Sequence, residues 1–244
     1  MLNEQTIEKL QALRLGAMAA AWSEQQRADV TALSFDERLG MLVDAEWTVR
    51  ENKRVARSLK EAKLRLGQAC IEGIDYSPRR EIDRALLRQL ASCAWVQHHQ
   101  MVLISGATGV GKTYVACALA QQACRKGHRV LYRRASRLLD ELRLARADGS
   151  YARQLARLAR TDLLVVDDFG LTPMTEVERT DLLEVLEDRH DLRATILASQ
   201  LPPTDWHAFL GDPTLADAIC DRVLHQAHRI VLRGPSRRKD KENP

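Results

Sequence analysis

The chain has 244 residues, of which 45% are apolar, 5% aromatic and 29% charged, and its formal net charge is +4. That length holds one full α/β domain and a smaller appendage, and the aromatic-poor, charge-rich balance points away from a sandwich or a disulfide-built secreted fold. No run approaches the roughly 18 apolar residues of a membrane span and the first residues lack a signal-peptide pattern, so a soluble cytoplasmic protein with no membrane partner is expected.

From Leu2 to about Gly67 the pattern is helical throughout. Ile7, Leu10, Leu13, Ala17 and Ala21 recur at three and four residues, which lines one side of a helix. Ser34 and Glu37 form a capping box, and Leu39, Leu42, Val43 and Trp47 continue an apolar face behind it. Beyond Trp47 a basic stripe runs through Arg50, Lys53, Arg54, Arg57, Lys60, Lys63 and Arg65, and it reads either as a solvated face or as a phosphate track. The first five of these are the candidate DNA contacts. A break at Gly67 to Pro78 suggests a helical domain over 1–68, an α/β domain over 69–238 and a disordered tail over 239–244.

After the break, helices alternate with short apolar runs. Strands are predicted at Met101 to Ser105, His128 to Tyr132, Leu163 to Asp167 and Ala194 to Ser199. Helices are predicted at about Lys112 to Arg125, Ser136 to Ala145, Tyr151 to Leu158 and Thr175 to Arg189. Strands with little polar alternation, separated by helices, make a parallel sheet covered on both faces. Cys70, Cys93, Cys117, Cys124 and Cys220 include no C-x-x-C pair, and His225 with His228 could share a helix face without acidic neighbours. Neither a disulfide framework nor a zinc site is indicated.

Gly106-Ala107-Thr108-Gly109-Val110-Gly111-Lys112-Thr113 matches G-x-x-x-x-G-K-[ST] between a predicted strand and a predicted helix. In that setting glycines let backbone N–H groups wrap phosphates, and the helix start adds its positive dipole end. Lys112 should reach the β- and γ-phosphates, and the Thr113 hydroxyl should ligate magnesium. Leu163-Leu-Val-Val-Asp167-Asp168 delivers two carboxylates to the carboxyl edge of the sheet, Asp167 for the magnesium and Asp168 for the attacking water. The expected ligand is therefore a nucleoside triphosphate with Mg2+. A further strand fits between the two motifs and an acid follows the magnesium acid, as in the additional-strand ATPases. Gln200, after the strand ending at Ser199, can reach the water near the γ-phosphate; alternatively Ser199-Gln200 only starts a turn.

With these residues assembled, the chain resembles the IstB-type insertion-sequence ATP-binding proteins, transposition helpers similar to the DnaC-like helicase loaders among the AAA+ ATPases. The resemblance spans nearly the whole length. It rests on Leu13-Arg-Leu-Gly-Ala-Met-Ala-Ala-Ala-Trp22, Leu33-Ser-Phe-Asp-Glu-Arg-Leu-Gly40 and Asp44-Ala-Glu-Trp47 in the helical region. In the ATPase region it rests on the phosphate loop, Val166-Asp167-Asp168-Phe169-Gly170, Ser199-Gln200-Leu201-Pro202, Asp221-Arg222-Val223 and Gly234 to Arg237. It implies a P-loop AAA+ fold behind a small helical domain, with Arg222 as an arginine finger acting on a neighbouring subunit's ATP and Arg237 in the sensor 2 region. It also implies self-assembly into a ring or helix, duplex DNA and a cognate transposase as partners, and a slow ATPase stimulated by them. Gln200 replaces the frequent sensor asparagine, and Asp168 replaces the frequent glutamate. A DnaC-like replicative helicase loader and a non-catalytic ATP-liganded DNA scaffold are the alternatives.

Overall fold

The computed structural model describes residues 2–27, 32–224 and 227–236, with the side chains of Leu2 and Pro78 excepted. His225, Arg237 and the expected tail lie outside the described residues. The chain divides into two compact units, Met1–Arg57 and Ser58–Pro244.

The first unit consists of helices α1 (Leu2–Ala12), α2 (Gly16–Gln25) and the amino-terminal part of α3 (Phe35–Ala62), which runs on past the unit boundary. The capping box at α3 forms: Glu37 N–H donates to Ser34 Oγ at 3.3 Å and Ser34 N–H to Glu37 Oε2 at 2.8 Å. Helix α2 has no side-chain cap of its own; Glu46 supplies one from α3, accepting from Ala17 and Met18 N–H at 2.9 and 3.1 Å. A carboxylate there answers the orphan amides and the helix dipole together. The Arg50 guanidinium, 2.7 Å from Glu46, is the largest cause holding that carboxyl below its usual range. Of the expected α3 face only Leu42 is buried, whereas Leu39, Val43 and Trp47 are exposed. A unit this small has too little interior to cover so wide an apolar stripe.

The second unit is built on five parallel strands: β1 (Met101–Gly106), β2 (Val130–Arg134), β3 (Leu163–Phe169), β4 (Ala194–Ser199) and β5 (His228–Leu232). Their order is β2-β3-β4-β1-β5, so β4 lies between the strand leading to the phosphate loop and the strand bearing the two acids. Helices α4 (Arg84–Ala91), α5 (Ala94–Gln97) and α6 (Lys112–Arg125) pack on one face. Helices α7 (Ala135–Ala147), α8 (Tyr151–Ala159), α9 (Glu176–Glu187), α10 (Trp206–Leu210) and α11 (Pro213–Leu224) pack on the other. Val102 and Ile104 face α6 while Leu103 faces the opposite layer, which explains a strand sequence that is apolar throughout. The sequence shows no sign of β5: it is a five-residue edge strand with Arg229 and Val231 exposed. His228 therefore belongs to a strand and not to a helix face, and its Nε2 lies 2.9 Å from Gln100 Oε1.

All five cysteines are free, and burial pushes the Cys93 and Cys117 thiols up to about 11, which leaves them inert apolar filling. At the acid-bearing end of β3, Phe169 packs edge-on against Trp206, ring centroids 4.8 Å apart, and the indole N–H donates to the Leu201 carbonyl at 3.2 Å. Trp206→Ala should cost about 3–5 kcal/mol in urea unfolding. Trp47→Ala, at a site 68% exposed, should change stability by no more than about 0.5 kcal/mol.

Candidate nucleotide site

The loop between β1 and α6 is shaped by three glycines at positive φ: Gly106 at 147°, Gly109 at 84° and Gly111 at 106°. Gly106 also touches its neighbour too closely for any side chain, since a Cβ would lie 2.2 Å from the Leu232 carbonyl oxygen on β5. At Gly109 a Cβ would meet Ser236, with Oγ at 2.1 Å and Cβ at 2.8 Å, so the segment after β5 lies against the loop. Gly111 starts α6 without a side-chain cap, which leaves the first helix amides directed into the cleft as an anion site. Lys112 Nζ donates to the Gly106 and Ala107 carbonyls at 2.8 and 2.9 Å, which holds the ammonium over the loop.

Asp167 is fully buried and accepts three hydrogen bonds. Thr113 Oγ1 donates to its Oδ2 at 2.8 Å, Tyr132 OH to the same oxygen at 2.7 Å, and Asp168 N–H to Oδ1 at 2.9 Å. Burial is the largest cause pushing the Tyr132 phenol far above its ordinary range, followed by the bond to Asp167, so it keeps the proton it donates. The side-by-side hydroxyl and carboxylate are hard oxygen donors of the kind that hold Mg2+ together with phosphates and water, so the residues fit that ion. Consecutive strand residues point to opposite faces, and Asp168 would ordinarily turn away from Asp167. The β3–β4 register is irregular between Val166 and Phe169, and Asp168 takes a left-handed φ of 59°. This kink brings its carboxylate back to the cleft, where Arg134 Nε lies 3.0 Å and Arg65 Nη1 3.3 Å from Oδ2.

The cleft holds about 880 Å3 and is bordered by Thr108, Lys112, Thr113, Asp168 and Gln200 at one end and by Leu66, Gly73 and Tyr114 elsewhere. Gln200 Oε1 accepts from Thr108 Oγ1 at 2.8 Å, which ties the end of β4 to the phosphate loop. Ser199 is buried and pins the turn, donating to the Phe169 carbonyl at 3.0 Å and accepting from Leu201 N–H at 3.0 Å. Arg222 is not brought to this cleft. It lines a small cavity with Met101, Arg189 and Thr195 at the amino ends of β1 and β4, and pairs with Glu187 at 2.9 Å. The length of the strands, roughly 3.3 Å per residue, separates it from its own chain's phosphate loop. Of the candidate DNA contacts, Arg50 donates to Glu46 and to the Arg14 carbonyl, and Arg54 pairs with Glu51; Lys53 and Lys60 are exposed.

Tyr132, Arg134, Arg65 and Arg80 were not legible as site residues. Arg80, 4% exposed, donates to the Val110 carbonyl at 3.0 Å and the Pro235 carbonyl at 3.2 Å, locking the phosphate loop to the segment after β5. Tyr132 follows Val130 and Leu131 and reads as core, Arg65 reads as the end of the basic stripe, and Arg80 and Arg134 read as surface charge. No local spacing points any of them to the nucleotide cleft.

A family profile described as IstB-like ATP binding protein matches residues 8–243. The chain is 46% identical over 241 residues to a protein of Sinorhizobium fredii named as the insertion sequence ATP-binding protein y4pL, covering 98% of each. It is 48% identical over 203 residues to the protein of Pseudomonas fluorescens named as the ATP-binding protein of insertion sequence IS1162, covering 83% of this chain and 88% of that one. Among solved structures, the DnaC helicase loader superposes with a TM-score of 0.56 at 19% identity, over 68% of this chain and 97% of that chain, a likeness of fold alone. The five-stranded parallel sheet with its interposed β4 is the P-loop AAA+ architecture, and the chain belongs to the IstB-like family of insertion-sequence ATP-binding proteins.

Proposed function

We propose that this protein is an ATP-dependent regulator of DNA transposition, which binds ATP with Mg2+, assembles on duplex target DNA and recruits and stimulates its partner transposase. The observation that carries this reading is the pairing of Thr113 with the buried Asp167 beneath an uncapped helix start, in a chain that is insertion-sequence-like along its length. The helix-start amides and Lys112 bind the phosphates, and Thr113 and Asp167 hold the metal, whose chemistry when bound is to neutralise charge on the phosphate oxygens. Asp168 accepts a proton from, or orients, the attacking water, and Gln200 and Thr108 sit where they can hold that water or the γ-phosphate. Leu66 and Tyr114 offer apolar walls to the base.

Arg222, at the opposite sheet edge, acts on ATP held by a neighbouring subunit in this scheme, and Arg237 contacts the nucleotide in its own subunit. Hydrolysis then releases the assembly. The ion pairs from Arg65 and Arg134 to Asp168 support a slow basal rate that partners raise.

Three variants test the scheme by DNA-stimulated ATP hydrolysis. Asp168→Asn should bind ATP normally and hydrolyse it about 10²–10⁴-fold more slowly. An unchanged rate would instead favour a scaffold that uses ATP only as a ligand. Arg222→Ala should bind ATP yet lose about 10³-fold or more in turnover. Mixing it with Lys112→Ala subunits, which bind no ATP but carry an intact Arg222, should restore hydrolysis; mixtures as inactive as either parent would remove the between-subunit role. Co-purification with the transposase, and not with a replicative helicase, separates this function from helicase loading.

A further inference from the structure

Helix α8 buries Leu155 and Leu158 and turns Arg153, Arg157 and Arg160 outward, since positions i, i+4 and i+7 share a helix face. Together with Arg129, Ala156 and Thr161 they line a groove of about 500 Å3. Arg129 directly precedes β2 and Thr161 comes just before β3, so the groove lies at the amino edge of the sheet, away from the nucleotide. Among the described residues the nearby acids are few: Asp162 pairs with Arg129 at 3.2 Å, and Asp148 feels the charge of Arg153. Among the described residues Arg157 and Arg160 have no ion-pair partner within 4 Å. With Arg129 already paired to Asp162, the guanidiniums of Arg153, Arg157 and Arg160 repel one another across one groove unless an anion lies between them.

We propose that this α8 groove is a track for the phosphate backbone of duplex DNA, an inference that rests on the proposed role on target DNA and names a surface for it. None of the six lining residues is aromatic, so the groove lacks the stacking platforms that hold single strands. Ala156 is its one apolar member, which is too little for the core of a protein interface. A positive, polar surface matches a DNA interface. From Arg153 to Arg160 the helix rises about 10 Å, and a DNA strand carries a charge every 3.4 Å or so of axis, so the ridge meets about three phosphates. By contrast, Arg50 and Arg54 on α3 are already engaged with Glu46 and Glu51.

The test is an equilibrium titration of a labelled duplex of arbitrary sequence with the full chain and a slowly hydrolysed ATP analogue, between about 50 and 200 mM salt. The triple variant Arg153→Ala, Arg157→Ala, Arg160→Ala should bind at least about tenfold more weakly at the low end. Its plot of log affinity against log salt should flatten by about 0.9 per lost phosphate, two to three in all. Its melting temperature and affinity for the ATP analogue should match the wild type. A wild type that binds duplex while the variant keeps both affinity and slope overturns the groove assignment and leaves the proposed function standing. A wild type that binds no duplex at any salt overturns both. A variant that keeps DNA but no longer captures the transposase makes the groove a protein-docking surface and overturns the DNA track. Should the triple variant fail to fold, Arg157→Gln alone should still flatten the slope by about 0.9, and an unchanged slope there overturns the inference equally.

Discussion

The site depends on one fully buried carboxylate. Asp167 has no access to water, and a polar group so placed has to find its donors within the fold. It finds them on three elements: Thr113 at the start of α6, Tyr132 on β2 and the amide of Asp168 on β3. The Thr113 bond ties the phosphate loop to the acid-bearing strand although β4 runs between β1 and β3, and the Tyr132 bond ties that strand to β2. The same oxygen that accepts from Thr113 accepts from Tyr132, so the tyrosine helps fix that carboxylate beside the Thr113 hydroxyl.

The neighbouring acid shows how a kink separates the work of two adjacent residues. An unbroken strand would send Asp168 to the face opposite Asp167; the irregular register and left-handed backbone turn it to the cleft, while Asp167 stays buried. Such a backbone costs of order 1–3 kcal/mol, which the packing of Phe169 against Trp206 directly behind it can offset. The result is one acid locked in place and one held by the partly exposed guanidiniums of Arg65 and Arg134. Arg222 is carried on α11 to the far edge of the sheet, and a strand's length separates it from its own phosphate loop.

The two units are stabilised differently. The α/β unit buries both faces of its sheet, whereas the helical unit buries little beyond Ala19, Leu42 and Glu46. There the long-range cap from Glu46 to α2 compensates for a helix that starts at Leu15 without a cap of its own. Leaving Phe35, Val43 and Trp47 exposed follows from the same shortage of interior.

Local pattern in the sequence was enough to determine the phosphate loop, the acid-bearing strand, the Ser34 capping box and the limits of α6 and β4, because each is set by the spacing of residues within one or two turns or one strand. It could not reveal β5, whose outward half is polar or exposed, nor the burial of α3, which depends on what the other helices cover. Tyr132, Arg65, Arg134 and Arg80 acquire their roles only through partners 30 to 155 residues away. The order of the strands, the kink at Asp168 and the placement of Arg222 are of the same kind. Hydrogen bonds and packing between distant segments decide them, and no short stretch of residues records which distant segment will be its neighbour.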